Sequence, residues 1–502
     1  MKKYLLTAIA ALGLTLNACD DYLDINDDPN NPTESVLTTD LIFPTMEVNL
    51  ASTYGNFLRI VGGYLSEQYS QMFGTGNYLS YSQFTISSTR TSGMCYTQLF
   101  MRVISTGESV IRKAEADGDW GTYLAAKTLR AFAYSTLVDC YGEVPYTEAI
   151  AGISQPHYDD GRTIYDGIIA ELDEALAKVS PAAKVCTNFI YPGESANNWI
   201  RFANALKLKL YTRISNVDDK ALDKIAEIIK EGNLPVADVA LKDCWTSEAG
   251  AENPFYAEEF ATNFGSTQSN VIANIAIVGT MQRADYTDPR LAAFFEPNSE
   301  GGYRGGLSGT NFSTASGVFN DKSFNRPVAS YDMPVFFITL SEIEFMKAEY
   351  YARKGDAANA KTYYENAITA SFATAGVSGA AENIAYYPYD QNNWKKCIGL
   401  AKYLALSGTN NFESWCELRR LRYPEFDASV KMEDIFNPAD KNSYDASVYK
   451  PGTLYTPYQV DHFVGGNQLL ERFPYASASA TNNPNAPVIT DQTYTTKVFW
   501  AK

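Results

Sequence analysis

Residues 341–373 read SEIEFMKAEYYARKGDAANAKTYYENAITASFA. Ala348, Tyr351, Ala360, Tyr364 and Ala367 recur there as small, aromatic, small, aromatic, small. That order is the signature of a tetratricopeptide repeat. Two helices approach through the small residues, and the aromatics fill the gaps beside them. Gly355-Asp356 supplies the turn between them. Downstream, Trp394–Leu406 and Asn411–Leu421 predict a further, looser helix pair. Stacked pairs of this kind build a right-handed helical scaffold.

The same periodicity runs upstream. Gln98–Ala116 and Thr122–Tyr141 predict an antiparallel pair around the turn at Gly118. In Thr163–Val179, the residues Ile164, Ile168, Leu172, Ala175, Leu176 and Val179 share one face, with Thr163 as the expected N-cap. In Ala196–Ser215, Trp199, Phe202, Ala203, Leu206 and Leu210 line a stripe. Asp218–Glu231 is a further helix, closed by Gly232. The scaffold is therefore expected mainly over 41–232 and 335–425. Residues 233–334 and 426–502 lack periodicity and are broken by Pro and Gly. Segments that long do not stay structureless in a packed domain, so they are expected to form an irregular lobe of short helices, brief strands and ordered loops. The fold class is mainly α, with 41–502 as one body.

The N-terminus predicts the compartment. Met1-Lys2-Lys3 is a positive start, and Leu5–Leu16 is an apolar run too short to span a bilayer. Leu16-Asn17-Ala18-Cys19 then places a cysteine where a lipoprotein signal is cleaved and acylated. Residues 1–18 read as signal peptide, and 19–40 as lipidated Cys19 and an acidic tether. No later segment offers a membrane-spanning apolar run. Asp20 and Asp21 resemble an export signal to the outer leaflet of the outer membrane. Asp24, Asn26 and Asp28 imitate the start of a calcium loop, but Pro29 and Ser35 stand where that loop needs Gly and Glu. No metal is expected there.

Composition narrows the function. The 502 residues carry 41 Lys+Arg and 58 Asp+Glu, a net charge of −17. Loss of Lys2 and Lys3 with the signal takes −17 to −19. Such a chain repels phosphate backbones, which argues against nucleic acid. Two histidines leave little room for zinc chemistry or a histidine relay. No Gly-x-Ser-x-Gly, His-Glu-x-x-His or phosphate-binding Gly-Lys-Ser/Thr loop is present. No cofactor is expected. The cysteines other than Cys19 (Cys95, Cys140, Cys186, Cys244, Cys397 and Cys416) are widely and irregularly spaced, and the sequence leaves their pairing open.

Thirty-five tyrosines suggest ligand capture. Sugars present apolar C–H faces ringed by hydroxyls, so a binder needs aromatic planes beside amide, carboxylate and guanidinium groups. Three loops have that composition. The first, Gly74–Phe84, holds Asn77, Tyr78, Tyr81 and Gln83. The second, Gly301–Phe319, holds Tyr303, Arg304 and Asn311. The third, Tyr386–Trp394, holds Tyr387, Tyr389, Asp390, Gln391, Asn392 and Trp394. Loops this long also need aromatic plugs of their own.

Several stretches resemble the SusD/RagB-like nutrient-binding lipoproteins, in particular their second large subgroup. They are the lipidation signal with its acidic followers and Asp24-Ile25-Asn26-Asp27-Asp28-Pro29-Asn30. Ala126-Lys127-Thr128-Leu129-Arg130-Ala131 leads into Tyr141-Gly142-Glu143-Val144-Pro145-Tyr146. Trp199-Ile200-Arg201-Phe202-Ala203-Asn204 and Asp288-Pro289-Arg290 follow. Then come Thr339-Leu340-Ser341-Glu342, the motif Trp415, Glu417, Arg419 and Arg420, Arg472-Phe473-Pro474-Tyr475, and Lys497-Val498-Phe499-Trp500. Ala476-Ser477 and Phe499 depart from the usual pattern. The resemblance implies about four tetratricopeptide-like helix pairs carrying an irregular lobe. It implies a non-catalytic, surface-exposed lipoprotein that binds an oligosaccharide or peptide. Its implied partner is a TonB-dependent, SusC-like outer-membrane transporter. Two alternatives stay open: a glycoside hydrolase, which needs only two carboxylates about 5–10 Å apart, and a helical-repeat docking protein without a small ligand.

Overall fold

The computed structural model of the protein describes residues 38–261, 270–310, 319–320, 322–435, 448–461, 464–465 and 468–501. Cys19, the acidic turn 24–30, Asn311 and His462 lie outside them.

Helix α1 (Thr39–Ser52) passes through a π-helical stretch, Thr53–Leu58, into α2 (Arg59–Leu65). Two further π stretches, Ser92–Tyr96 and Gln98–Ile104, precede α3 (Ser105–Asp117). The sequence predicts ordinary helix from Gln98 onward. The wider π winding leaves no mark in a 3.6-residue pattern. Next are α4 (Trp120–Tyr141), α5 (Gly161–Lys178), α6 (Asn197–Ile214) and α7 (Ala221–Glu231). Asp160, rather than Thr163, caps α5 by accepting from the Arg162 and Thr163 N–H groups. The lobe supplies α8 (Pro254–Glu259) and α9 (Ile275–Met281). Last come α10 (Leu340–Arg353), α11 (Ala357–Thr374), α12 (Trp394–Leu406) and α13 (Asn411–Leu421).

The scaffold is mainly helical and tetratricopeptide-like, as the sequence implies. Helices α3 and α4, α5 and α6, α10 and α11, and α12 and α13 pack in sequential pairs. Contacts of α4 with α6, α6 with α10 and α10 with α12 join these into one stack. In the deciding pair, Ala348, Ala360, Tyr364 and Ala367 are buried together. Tyr351 is half-buried, its ring parallel to Tyr363 at 5.3 Å. Helix α13 crosses α2 at Gly62, where a Cβ would lie 2.4 Å from Phe412 Cα. Only glycine permits that approach.

Buried charge fastens the stack. Arg420 on α13 is held by both carboxylate oxygens of Glu349 on α10, at 2.6 and 2.5 Å. It also bonds Glu417 at 2.9 and 2.6 Å, and Lys402 of α12 reaches Glu417 at 3.0 Å. Burial pushes the Glu417 carboxyl up, yet Arg420 and Lys402 outweigh it and hold it well below the usual range. The Arg419 guanidinium lies 3.4 Å over the Trp415 ring and 5.0 Å from that of Trp500. The Trp415–Arg420 motif is thus a buried helix clamp.

The strands are short. β1 (Tyr69–Gln71) pairs antiparallel with β3 (Val271–Ala273), and β2 (Val239–Leu241) with β4 (Val335–Ile338). β5 (Glu425–Lys431) and β6 (Thr453–Thr456) run parallel. They lie in or beside the predicted lobe. The six cysteines within the described residues are free thiols. No described helix is long and apolar enough to cross a membrane.

Candidate functional site

The first two aromatic loops are brought together by β1 and β3. The chain after β3 is fixed by Asn274, whose side chain bonds Ser70 and Ser308 at 2.8 Å each. Gly306 continues the arrangement: its N–H donates to Ala273 O at 2.7 Å, and it accepts from Ile275 N–H at 2.8 Å. The second loop therefore lies alongside β3, while the first springs directly from β1.

A third segment, 456–461, closes over both. Tyr458 N–H donates to Ser308 O at 2.8 Å, and Asp461 N–H to Gln83 O at 2.7 Å. Gln83 Nε2 donates to Gly309 O at 3.1 Å, and Thr85 Oγ1 to Asp461 Oδ2 at 2.6 Å. Gly309 has φ +86°, and a Cβ there would meet Tyr458 O at 1.7 Å. The missing side chain is what lets the two backbones touch. Tyr458 itself is 36% exposed. The junction thus brings a solvent-exposed tyrosine, Tyr458, into one segment with Gln459 and Asp461, and that segment is bonded to Gln83.

Within the first loop, Asn77 is exposed at the apex. Tyr78 and Tyr81 are only 3% and 2% exposed. Their rings stack at 5.7 Å with an interplanar angle of 13°, and Tyr64 packs against both. The Tyr78 N–H is held by Gln71 Oε1 at 2.7 Å, and its hydroxyl donates to Glu258 Oε1 at 3.1 Å. Burial, with Glu259 and Glu258 beside it, pushes the Tyr78 phenol well above its usual range. These two rings set the loop's shape. Beside them, Tyr256 and Phe260 at α8 stack at 6.1 Å and are half-buried.

In the second loop Tyr303 is half-buried, and Arg304 is turned inward. Arg304 Nη1 donates to Ser323 O at 2.8 Å, and Nη2 to Glu300 Oε2 at 3.1 Å.

The third loop sits elsewhere, across the α10–α11 pair and against the C-terminal end of α9. The Tyr387 hydroxyl donates to Thr280 O at 3.1 Å. Tyr389 packs on Tyr364 at 5.5 Å and donates to Gln391 Oε1 at 2.6 Å. Asp390 accepts from the Asn392 N–H at 2.9 Å and from Asn393 Nδ2 at 2.6 Å. Those bonds, the Asn393 amide first, hold the Asp390 carboxyl below its ordinary value. Asn392 is exposed, and the Trp394 ring lies under the Arg353 guanidinium at 5.2 Å.

Tyr458, Gln459 and Asp461 escaped the sequence reading. Their signal was the same mix of aromatic and polar residues, in Tyr455-Thr456-Pro457-Tyr458-Gln459. Among the described residues no group of three or more His, Cys, Asp or Glu side chains could hold a metal.

Comparison with known proteins bears on what such a surface serves. No curated protein matches the sequence. A SusD homologue from Bacteroides uniformis shares the fold with a TM-score of 0.73 at 20% identity, over 92% of this chain and 100% of its own. A SusD homologue from Parabacteroides distasonis gives 0.69 at 18% identity, over 91% and 98%. A structure described as a chitin-binding protein gives 0.68 at 18% identity, over 89% and 95%. The second SusD-like family model, described as starch-binding and associating with the outer membrane, matches residues 29–439. The chain belongs to this SusD-like family of glycan-binding, outer-membrane-associated proteins.

Proposed function

We propose that this protein is a cell-surface lipoprotein, anchored through Cys19 in the outer membrane. It captures a nutrient glycan without cleaving it and delivers it to a TonB-dependent, SusC-like transporter barrel. The observation that carries the glycan reading is the junction of the first two loops with 456–461. There a solvent-exposed tyrosine belongs to the same junction as the Gln83 and Gln459 amides and the Asp461 carboxylate, the residue types that stacking on a hydroxylated ring requires. Asn77 and Tyr303 edge the same platform, Tyr78, Tyr81 and Arg304 shape it, and Tyr458 is its stacking face. The third loop, with Tyr387, Tyr389, Asp390, Asn392 and Trp394, buttresses the lobe against the scaffold.

Calorimetry against a panel of glycans and peptides tests this, with product analysis of every mixture. A glycan is expected to bind unaltered, and Tyr458→Ala to weaken it roughly tenfold, about the worth of one good ring contact. Release of shorter sugars would overturn the reading. So would binding of peptides alone, or binding indifferent to Tyr458.

A further inference from the structure

A separate cleft of about 450 Å³ opens beyond the C-terminal end of α13. Arg422, Tyr423, Phe426, Gln468, Glu471 and Thr495 line it. Its volume is that of a small-molecule pocket. It shares no residue with the loop junction above.

Glu471 is the unusual member. It is 4% exposed. Its N–H donates to Tyr494 O at 2.8 Å, and its carbonyl accepts from Arg419 Nη1 at 2.6 Å. The backbone is therefore pinned. One carboxylate oxygen, Oε1, accepts from Arg422 Nη1 at 2.6 Å. The other, Oε2, is buried without a hydrogen-bond partner among the described residues. An unmet buried acceptor costs about 1–3 kcal/mol, so the site gains from any donor that enters. Arg422 caps α13 in the left-handed region, with φ +63°. A non-glycine residue holds that conformation only where its surroundings demand it.

The cleft's charges select the donor. Arg422 and Glu471 pair with each other, and the remaining charged groups of the lining, Glu425 and Lys497, are of opposite sign. A cation would face Lys497 and Arg422. An anion would set a second acceptor against Glu471 Oε2. A neutral hydroxyl does neither. The half-buried Tyr423 and Phe426 rings offer apolar walls, and Gln468 and Thr495 offer further polar groups. We propose that this cleft is a second saccharide site, separate from the loop junction, in which a neutral sugar hydroxyl donates to Glu471 Oε2 and a C–H face lies on Phe426 or Tyr423. The proposal does not rest on the first site, and either can fail alone.

The test titrates the full-length protein with maltose, and with glucose, glucosamine and glucuronate as a set matched in shape and differing in charge. Binding is read by calorimetry and by saturation-transfer NMR in the Tyr458→Ala background, where the first site is weakened and binding that depends on Phe426 reports the second. Maltose and glucose are expected to retain binding there. Phe426→Ala and Glu471→Gln should each weaken it roughly tenfold, the worth of a ring contact or a charge-assisted hydrogen bond. Phe426 is partly exposed, so its variant keeps the reading independent of folding if Glu471→Gln unfolds. The proposal is overturned if no neutral sugar binds in the Tyr458→Ala background. Binding that ignores Phe426→Ala, or tighter binding of glucosamine or glucuronate than of glucose, overturns it equally. Loss of the first site's binding bears only on the loop junction.

Discussion

Glu67 shows how much one side chain can hold in this core. It is fully buried just before β1, with φ 52°. Its Oε2 accepts the Tyr455 N–H of β6 at 3.1 Å, and Oε1 has no partner among the described residues. Burial pushes its carboxyl up to about 8, against the pull of the Tyr455 N–H. A raised carboxyl favours the folded state only while protonated. The cost of ionising it is absent below about 4.5, grows as pH rises towards about 8, and is constant above. The growth amounts to about 1.4 kcal/mol per pH unit in that window. Gln has the shape of the protonated acid and does not ionise. Glu67→Gln is therefore expected to match the wild type near pH 4.5 and to exceed it increasingly up to pH 8, read as the difference in Tm across pH. A difference that does not change with pH would show that Glu67 is not protonated in the fold. Glu47 is pushed up to about 8 by the same burial, but its two oxygens accept from Phe189 N–H at 2.7 Å and Ile190 N–H at 3.2 Å. An amide there would turn a donor towards an N–H, so the same substitution should not stabilise that site.

Among elements, the clamp between α10, α12 and α13 is the instructive case. Arg420, Glu349, Glu417 and Lys402 are all buried. Removing one partner from a buried set leaves charge without compensation, which costs about 3–5 kcal/mol, whereas an exposed pair is worth about 0–1 kcal/mol. Arg420→Met is thus expected to lower the urea midpoint far more than Lys224→Ala, which breaks only the exposed Lys224–Glu227 pair of α7. Equal midpoints would mean that the clamp adds nothing. The same elements explain what the sequence could reveal. Helices α10 to α13 repeat every three or four residues and end on visible signals, so their bounds were legible nearly to the residue. The lobe was not. Tyr69 of β1 pairs with Ala273 of β3, two hundred positions away, through three-residue strands too short to show alternation. The aromatic loops were legible as loops. Whether a ring is a platform or a plug depends on distant neighbours. Tyr78 and Tyr81 are covered by Tyr64 of α2, and no local pattern announces that. The place of Tyr458 is equally non-local, since its backbone docks on the bare backbone of Gly309.

For the whole molecule the question is what holds it at a membrane. The described body offers no spanning helix, and the chain carries −17. A negatively charged body is repelled by anionic headgroups, so surface charge works against retention. The proposed attachment is therefore the acyl chains on Cys19, each buried CH₂ contributing about 0.8 kcal/mol, with several chains needed for firm anchoring. Cys19→Ala removes the acylation site, which precedes the first described helix, Thr39–Ser52, by twenty residues. Expressed in a host that processes lipoproteins, the wild-type protein is expected in the membrane pellet, and Cys19→Ala in the soluble fraction. A high-salt wash sharpens the comparison. Salt screens ionic attachment but not acyl insertion, so it should leave the wild type in the pellet. If Cys19→Ala still sediments and salt releases it, a charged partner rather than lipid holds the protein. If Cys19→Ala sediments through the wash, the lipid-anchor assignment is wrong, and the membrane association described for this family must reach the chain through contacts of the folded body.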